Sequence, residues 1–460
     1  MNSTTCDLLI KHANVVTMDV NRALYHDGAI AVAGNQIAAV GASGDVCSQW
    51  RATRVIDAGG AIVHPGFIDA HNHIVHSSCR GVFADIHATG NAAVNFASWK
   101  ADVSDEDERA AVVIASLEML RSGFTMFVEP GSVFSTDVTA EALRSVGVRA
   151  LLSPLYLWDR PEPFEAIPAL ASESLMDRAP IDTERCLSVL DGELHRNTDQ
   201  DEPVRGYIFV YGEGTASPEL LCAAHELSRA HGTPLHLHAG YVPMGASIYA
   251  NMTGTSQVEH LAELGVLDGN TVLVHANVMN PTEEQLLEEC GCQIVWCPSG
   301  FFSVGMGSDA EFRMAQRQQR GLSISLGSDG AFDATPADNM RAARHISQSY
   351  ADPLGSAALL EMQTIGAAKA AGLHDQLGSL EVGKRADLVM RNLHAAEAHP
   401  NINPVHLLAF VLGTGSVDTV LINGDIVFEQ GRSTRVDEAS AAWVASASVM
   451  ARAKRLGLRD

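Results

Sequence analysis

Apolar and polar positions alternate in short runs at both ends of the chain, and apolar positions run together in its middle. From Asp7 to Ala58 the segments LLIKHANVVTMD, GAIAVAGNQIAAVG and RVIDAGG are broken by Gly, Asn and Asp turns, the pattern of short antiparallel strands. They are too few to make a domain alone. GSLEVGKRADLVM and VDTVLINGDIVFEQG repeat the same grammar near the other end, with an Asn-Gly turn at Asn423 and Gly424, so the two ends are expected to pair. Between them lie TMFVE, RALLSP, GYIFVYG, PLHLH, TVLVH, QIVWCP and SISLGSD, interleaved with helix-type stretches such as SPELLCAAHELSRAHG and TEEQLLEECG. Strands apolar throughout, alternating with helices, predict a parallel sheet covered by helices, and about eight such units predict a closed (β/α)8 TIM barrel of the α/β class. We expect the barrel over 63–379, a small composite β domain from 1–62 and 380–436, and a C-terminal helix over 437–460, where DEASAAWVASASVMARAKRLG stands.

Length and composition narrow the class. A chain of 460 residues with 46% apolar residues, Gly 39 and Pro 17 is ordinary for a globular enzyme larger than one core. No apolar run is long enough for a membrane span, and MNSTTCDLLIKHANVVTMD lacks the basic start and apolar core of a secretory leader. Eight cysteines (Cys6, Cys47, Cys79, Cys186, Cys222, Cys290, Cys292, Cys297) form no C-x-x-C pair, which fits reduced thiols in the cytoplasm. A formal charge of -24 repels polyanions and argues against nucleic acid, while a small uncharged or cationic substrate is compatible with it. The expected protein is a cytoplasmic homo-oligomer acting on a small molecule.

Barrel enzymes carry their chemistry at the C-terminal ends of the strands. Those ends hold metal-type ligands here: His71 and His73 after AIVHPGFIDA, His238 after PLHL, His275 after TVLV and Asp329 after ISLGS. Alternate residues of an extended chain point the same way, so H-x-H can place two imidazoles on one ion. This N/O set suits zinc or a similar divalent ion with a position left for water. Any single histidine of the 19 is better read as a core or surface residue, and His76, His260 and His345 are read so. Ligand types at successive strand ends are not.

The runs HPGFIDAHNH, LHLHAG, LVHAN, SLGSDGA and GSLEVGKRADLV together resemble the amidohydrolase superfamily, in the branch of the cytosine, guanine and adenosine-type deaminases and the triazine hydrolases. The resemblance covers nearly the whole chain. It implies a distorted barrel with one catalytic metal and a composite β-sandwich built from both ends. It further implies that His71, His73, His238 and Asp329 hold the metal and that His275 faces the water or the substrate oxygen. Zinc is the first expectation for the ion, with iron, cobalt or manganese as alternatives. Asp329 would serve as general base and then acid.

One departure bears on the reaction. Deaminases of this branch usually carry a glutamate three residues after the histidine that corresponds to His238, where it protonates a ring nitrogen; here Tyr241 stands. A phenol with a pKa near 10 is a poor proton shuttle, so amide, urea or carbamate hydrolysis leads, heterocycle deamination follows, and hydrolytic dechlorination is third. Tyr211 stands where family members often have histidine. Glu213 is either a relocated acid or a solvated loop carboxylate, and Glu129 is expected behind the ligands. No lysine stands at the Tyr211 strand end, which disfavours a two-metal site bridged by a carbamylated lysine. Phe83, Trp99, Tyr156 and Trp158 fall near strand ends, and Phe301 and Phe302 in WCPSGFFSVG are the first candidates for substrate walls. A catalytically silent barrel would be expected to lose ligands, and none is lost.

Overall fold

The computed structural model describes residues 4–83, 92–160, 173–303, 313–330, 334–394 and 396–458. Alternation at the N-terminus builds β1 (Thr4–Val16), β2 (Leu24–Ala33), β3 (Gln36–Ala42), β4 (Trp50–Asp57) and β5 (Ile62–Pro65). β1 to β3 form an antiparallel meander, with Ile10 opposite Ile30 and Ile30 opposite Val40. The other edge of β1 is shared between two strands. β4 runs parallel to Thr4–Lys11 and β5 parallel to Asn14 and Val15, so the sheet divides along this strand.

The barrel strands are β6 (Phe67–Asp69), β7 (Phe124–Glu129), β8 (Arg149–Leu152), β9 (Val204–Gly206), β10 (Ile208–Gly212), β11 (Leu235–Ala239), β12 (Thr271–His275), β13 (Gln293–Trp296) and β14 (Ser323–Leu326). They pair in parallel as a four-stranded run, β6 to β9, and a five-stranded run, β10 to β14. β9 and β10 are one strand interrupted at Tyr207, which leaves the eight staves that the alternation predicts. The ring closes between the first and last staves: Ala70 N–H donates to the Leu326 carbonyl at 3.0 Å and Asp329 N–H to the His71 carbonyl at 2.8 Å. Inward side chains such as Met126, Val128, Phe209, Val272, Val274 and Val295 fill the centre. Their neighbours Phe127, Ile208, Val210, Leu273 and Ile294 pack outward under the helices, which is why these strands read as apolar throughout.

The chain returns as β15 (Leu388–Arg391), β16 (Val417–Ile422), β17 (Asp425–Glu429) and β18 (Arg432–Ser433). β15 pairs antiparallel with β5, joining both chain ends in one nine-stranded sheet. The β16–β17 turn is the Asn423-Gly424 pair, both residues with positive φ (54° and 80°). The buried Arg149 of β8 reaches Asp387 at 2.9 Å and Asn423 at 2.9 Å, tying this sheet to the barrel.

AIVHPGFIDA, which reads as one strand, is divided at Gly66 into β5 of the terminal sheet and β6 of the barrel. A Cβ at Gly66 would lie 2.0 Å from Thr125 Oγ1, so only glycine lets the chain pass β7 at the crossing. The helix Glu438–Arg455 closes the chain and packs beside the helix Asp105–Ser122, with Arg455 on Asp102 at 2.9 Å. Among the described residues no helix is long and apolar enough to cross a membrane.

Candidate active site

Beyond the end of β6 the chain turns sharply, and Asp69 organises the turn. Its carboxylate accepts from Asn72 Nδ2 at 3.0 Å, from Ser328 N–H at 2.9 Å and from the Ser328 hydroxyl. Asn72 N–H donates to the Val128 carbonyl at 2.9 Å. The H-x-H segment is thereby clamped between the ends of β7 and β14, and Asp329 is placed against it. His238 sits on β11, its ring fixed by Nδ1–H donating to the Tyr211 carbonyl at 2.9 Å.

These supports bring the predicted ligands together. His71 Nε2 lies 3.4 Å from His238 Nε2, and Asp329 Oδ1 lies 3.4 Å from His73 Nε2 and 3.9 Å from His71 Nε2. The ligand atoms form two groups, His71 with His238 and His275, and His71 with His73 and Asp329, each within 4.8 Å. Because both groups contain His71, they make one compact cluster. Burial holds His71, His73 and His275 well below the usual histidine range and His238 down at about 3, so the imidazoles are neutral. Burial also pushes the Asp329 carboxyl up to about 6.

The donor set fits a divalent cation. His238 keeps its proton on Nδ1, so its Nε2 presents a lone pair toward His71. The Nδ1 atoms of His71, His73 and His275 have no partner among the described residues. Neutral imidazoles with a carboxylate beside them, crowded and buried, are what zinc or a similar ion takes as ligands. The backbone is strained at the same place: Glu213 (φ 51°), His275 (φ 81°), Ala276 (φ 49°) and Asp329 (φ 57°) are left-handed without being glycine.

The remaining predicted residues divide. Tyr241 is half-buried and stacks on His275 with ring centroids 4.2 Å apart, and burial drives its phenol well above 10. Tyr211 packs its ring on His238 at 4.8 Å and meets Tyr156 and Trp158, which are themselves stacked at 4.9 Å. Glu213 is not a solvated loop carboxylate. It is half-buried, accepts from Tyr241 N–H at 3.1 Å, and burial raises it to about 7. Glu129 accepts from Gly131 N–H at 2.7 Å and from Ser132, and so anchors the loop whose Gly131 carbonyl receives Tyr156 N–H.

Other sites behave as packing residues. Phe83 and Trp99 form an interior cluster with Cys79, Phe96 and Ala453. His260 meets the Tyr249 hydroxyl at 2.8 Å, and His345 is exposed. His76 is buried and stacks on His73 at 4.8 Å. Phe301 and Phe302 fall on the short helix Pro298–Ser303, and their side chains lie outside the described residues. Sequence reasoning missed Asp69, Asn72 and Ser328, whose one signal is that polar residues flank the ligands inside apolar strand ends. It also missed Lys100, a lone lysine in NFASWKAD.

A closed parallel barrel with a buried His/Asp cluster at its strand ends defines a class, the barrel hydrolases that work around a metal site. The model of the amidohydrolase family matches residues 62–427, and the chain belongs to that family of hydrolytic enzymes. A 5-methylthioadenosine/S-adenosylhomocysteine deaminase of Syntrophobacter fumaroxidans is 28% identical over 446 residues, 95% of this chain and 97% of that protein. Among solved structures, an adenosine deaminase from Xanthomonas campestris with bound zinc matches with a TM-score of 0.86 and 24% identity over 100% of both chains. An atrazine chlorohydrolase from Arthrobacter aurescens TC1 complexed with zinc matches with a TM-score of 0.83 and 22% identity, over 96% of this chain and 100% of that one. At these identities the structural likeness establishes the fold.

Proposed function

We propose that His71, His73, His238 and Asp329 hold one divalent ion per chain, zinc first, and that the enzyme cleaves an amide-, urea- or carbamate-type C–N bond in a small aromatic or heterocyclic molecule. When bound, such an ion supplies Lewis acidity and lowers the pKa of water to about 7. Asp329, already raised by its burial, accepts the proton of the attacking water and returns it to the departing nitrogen. His275, neutral and braced against Tyr241, orients the water or the attacked carbonyl. Tyr211 fixes the His238 tautomer through its backbone, and its ring, packed on His238, serves as substrate wall.

Tyr241 carries the choice of reaction. Burial drives its phenol well above the usual range, which makes it a poor acid toward a ring nitrogen, and its stack on His275 suits it to position that imidazole. Attack at a carbonyl needs no such acid. Deamination of an aminoheterocycle is the second reading. It is favoured by the activity for which the Syntrophobacter relative is named and by Glu213, whose carboxyl at about 7 sits on the Tyr241 backbone.

Parallel detection of ammonia, amine and chloride tests the two. The zinc-loaded enzyme is given heteroaromatic amides, ureas, carbamates, aminoheterocycles and chloroheterocycles. Amine or ammonia from acyl-type linkages is the expected result, ammonia from ring-amino carbons moves the assignment to the second reading, and chloride alone contradicts both. We further propose a cytoplasmic homo-oligomer, supported by eight free cysteines and by Trp443, 73% exposed on the C-terminal helix. Light scattering reads the assembly.

A further inference from the structure

We infer that Lys100 is an anion subsite, and that the substrate carries a carboxylate which this ammonium holds beside the His/Asp cluster. The inference rests on the hydrolase reading above and narrows its substrate class.

Lys100 lies near the end of the helix Ala92–Ala101 and is half-buried. Its Nζ stands 4.9 Å from the Phe96 ring centroid and 5.6 Å from that of Tyr156. Ring contacts link it to the cluster through two residues: Phe96 meets His76 at 5.4 Å, and His76 stacks on His73 at 4.8 Å. Cys79 and Asp329 are the acidic groups near enough to act on it; burial pushes the Cys79 thiol up to about 12 and leaves it neutral, so Asp329 is the one that carries charge. Among the described residues no carboxylate forms an ion pair with Lys100. Glu108 borders the same small cavity, but its oxygens are taken by Phe134 N–H, Ser135 N–H and the Thr139 hydroxyl. Arg452, the other cation there, is committed to the Trp99 carbonyl and lies over the Trp99 ring.

This arrangement is costly without a ligand. A cation partly withdrawn from water without an anion beside it is disfavoured, and contact with aromatic faces recovers only part of that cost. A metal ion at the cluster would not relieve it, because the two charges have the same sign and Asp329 would be engaged by the ion. Burial lowers Lys100 to about 8, which leaves it charged at neutral pH. A carboxylate on the substrate removes the cost and fixes the direction of the molecule. The reacting bond lies at the cluster, the acid at Lys100, and the ring beside Tyr211, which packs on His238. A single ammonium, with no arginine fork free beside it among the described residues, suits a monoanion. The net charge of -24 opposes anions at long range, but salt screens that field and the contact with Lys100 is local.

The test is calorimetric and does not depend on turnover. Matched pairs of aminopyrimidine, aminopyridine and aminotriazine carboxylates and their analogues with methyl in place of the carboxylate are titrated into the zinc-loaded protein and into Lys100→Met and Lys100→Arg. At least one carboxylate is expected to bind about ten- to a hundredfold more tightly than its methyl analogue. Lys100→Met, which keeps an unbranched chain over Phe96 and Tyr156, should abolish that preference at unchanged zinc content, and Lys100→Arg should keep part of it. Absence of preference in every pair, or a preference that survives Lys100→Met, overturns the inference. The proposed reaction is judged separately by the release assays: C–N cleavage of neutral substrates alone would refute the anion subsite and leave the hydrolase reading standing, whereas a Lys100-dependent carboxylate preference without C–N cleavage would do the reverse.

Discussion

In the proposed mechanism Asp329 moves the proton and Tyr241 only positions His275, and each role can be tested alone. Asp329→Asn keeps an oxygen ligand but cannot take a proton, so it should retain part of the metal and lose about 10²–10⁴-fold in kcat. Near-normal turnover would transfer the proton to Glu213, which burial holds at about 7. Tyr241→Phe keeps the ring stacked on His275 and should act chiefly on KM, whereas Tyr241→Glu should raise activity on aminoheterocycles relative to acyl substrates. Abolished turnover in Tyr241→Phe with metal still bound would mean that the phenol is an acid after all. His71, His73, His238, His275 and Asp329 were legible in the sequence because imidazoles and a carboxylate at the ends of apolar strands have no ordinary packing role. Lys100 and Asp69 were not, since a lone lysine in a helix or an aspartate beside a turn is commonplace until its surroundings are seen.

At the scale of elements, the crossing at Gly66 and the loop after β7 decide how the site is framed. Gly66→Ala forces a Cβ into Thr125 and should cost about 1–3 kcal/mol of stability in denaturant unfolding, with Thr125→Ala restoring part of it. Full stability of Gly66→Ala would show that the strands can part without loss. Glu129 gives a pH signature. Burial raises its folded-state pKa from 4.5 to about 8, so the folded protein binds more protons than the unfolded chain between those values. Its stabilising contribution is complete below 4.5 and is lost as pH rises through about 8. Glu129→Gln should flatten the fall in Tm across that window, and an unchanged slope would assign the pH dependence to other carboxyls. The barrel staves were readable because strands buried on both faces are apolar at every position, as in TVLVH. The division of AIVHPGFIDA was not, because nothing local distinguishes β5 in one sheet from β6 in another; the approach of Thr125 from β7 makes the break.

Across the whole molecule, the two chain ends meet in one sheet that is tied to the barrel through Arg149. The hairpin grammar of both ends announced the pairing, while the branching of β1 between β4 and β5 and the Arg149–Asp387 link depend on contacts between distant segments that no local pattern encodes. The barrel then brings the proposed ligands from beyond the ends of β6 and β14 and from β11 to one point, with His275 of β12 beside them, and the account stands on that point holding a single ion. Elemental analysis of the purified enzyme alongside its turnover tests this most directly. We predict about one divalent ion per chain, loss of turnover when a chelator removes it, recovery in proportion to zinc restored, and neither metal nor turnover in His238→Ala. Two ions per chain, or full turnover with none, would contradict it.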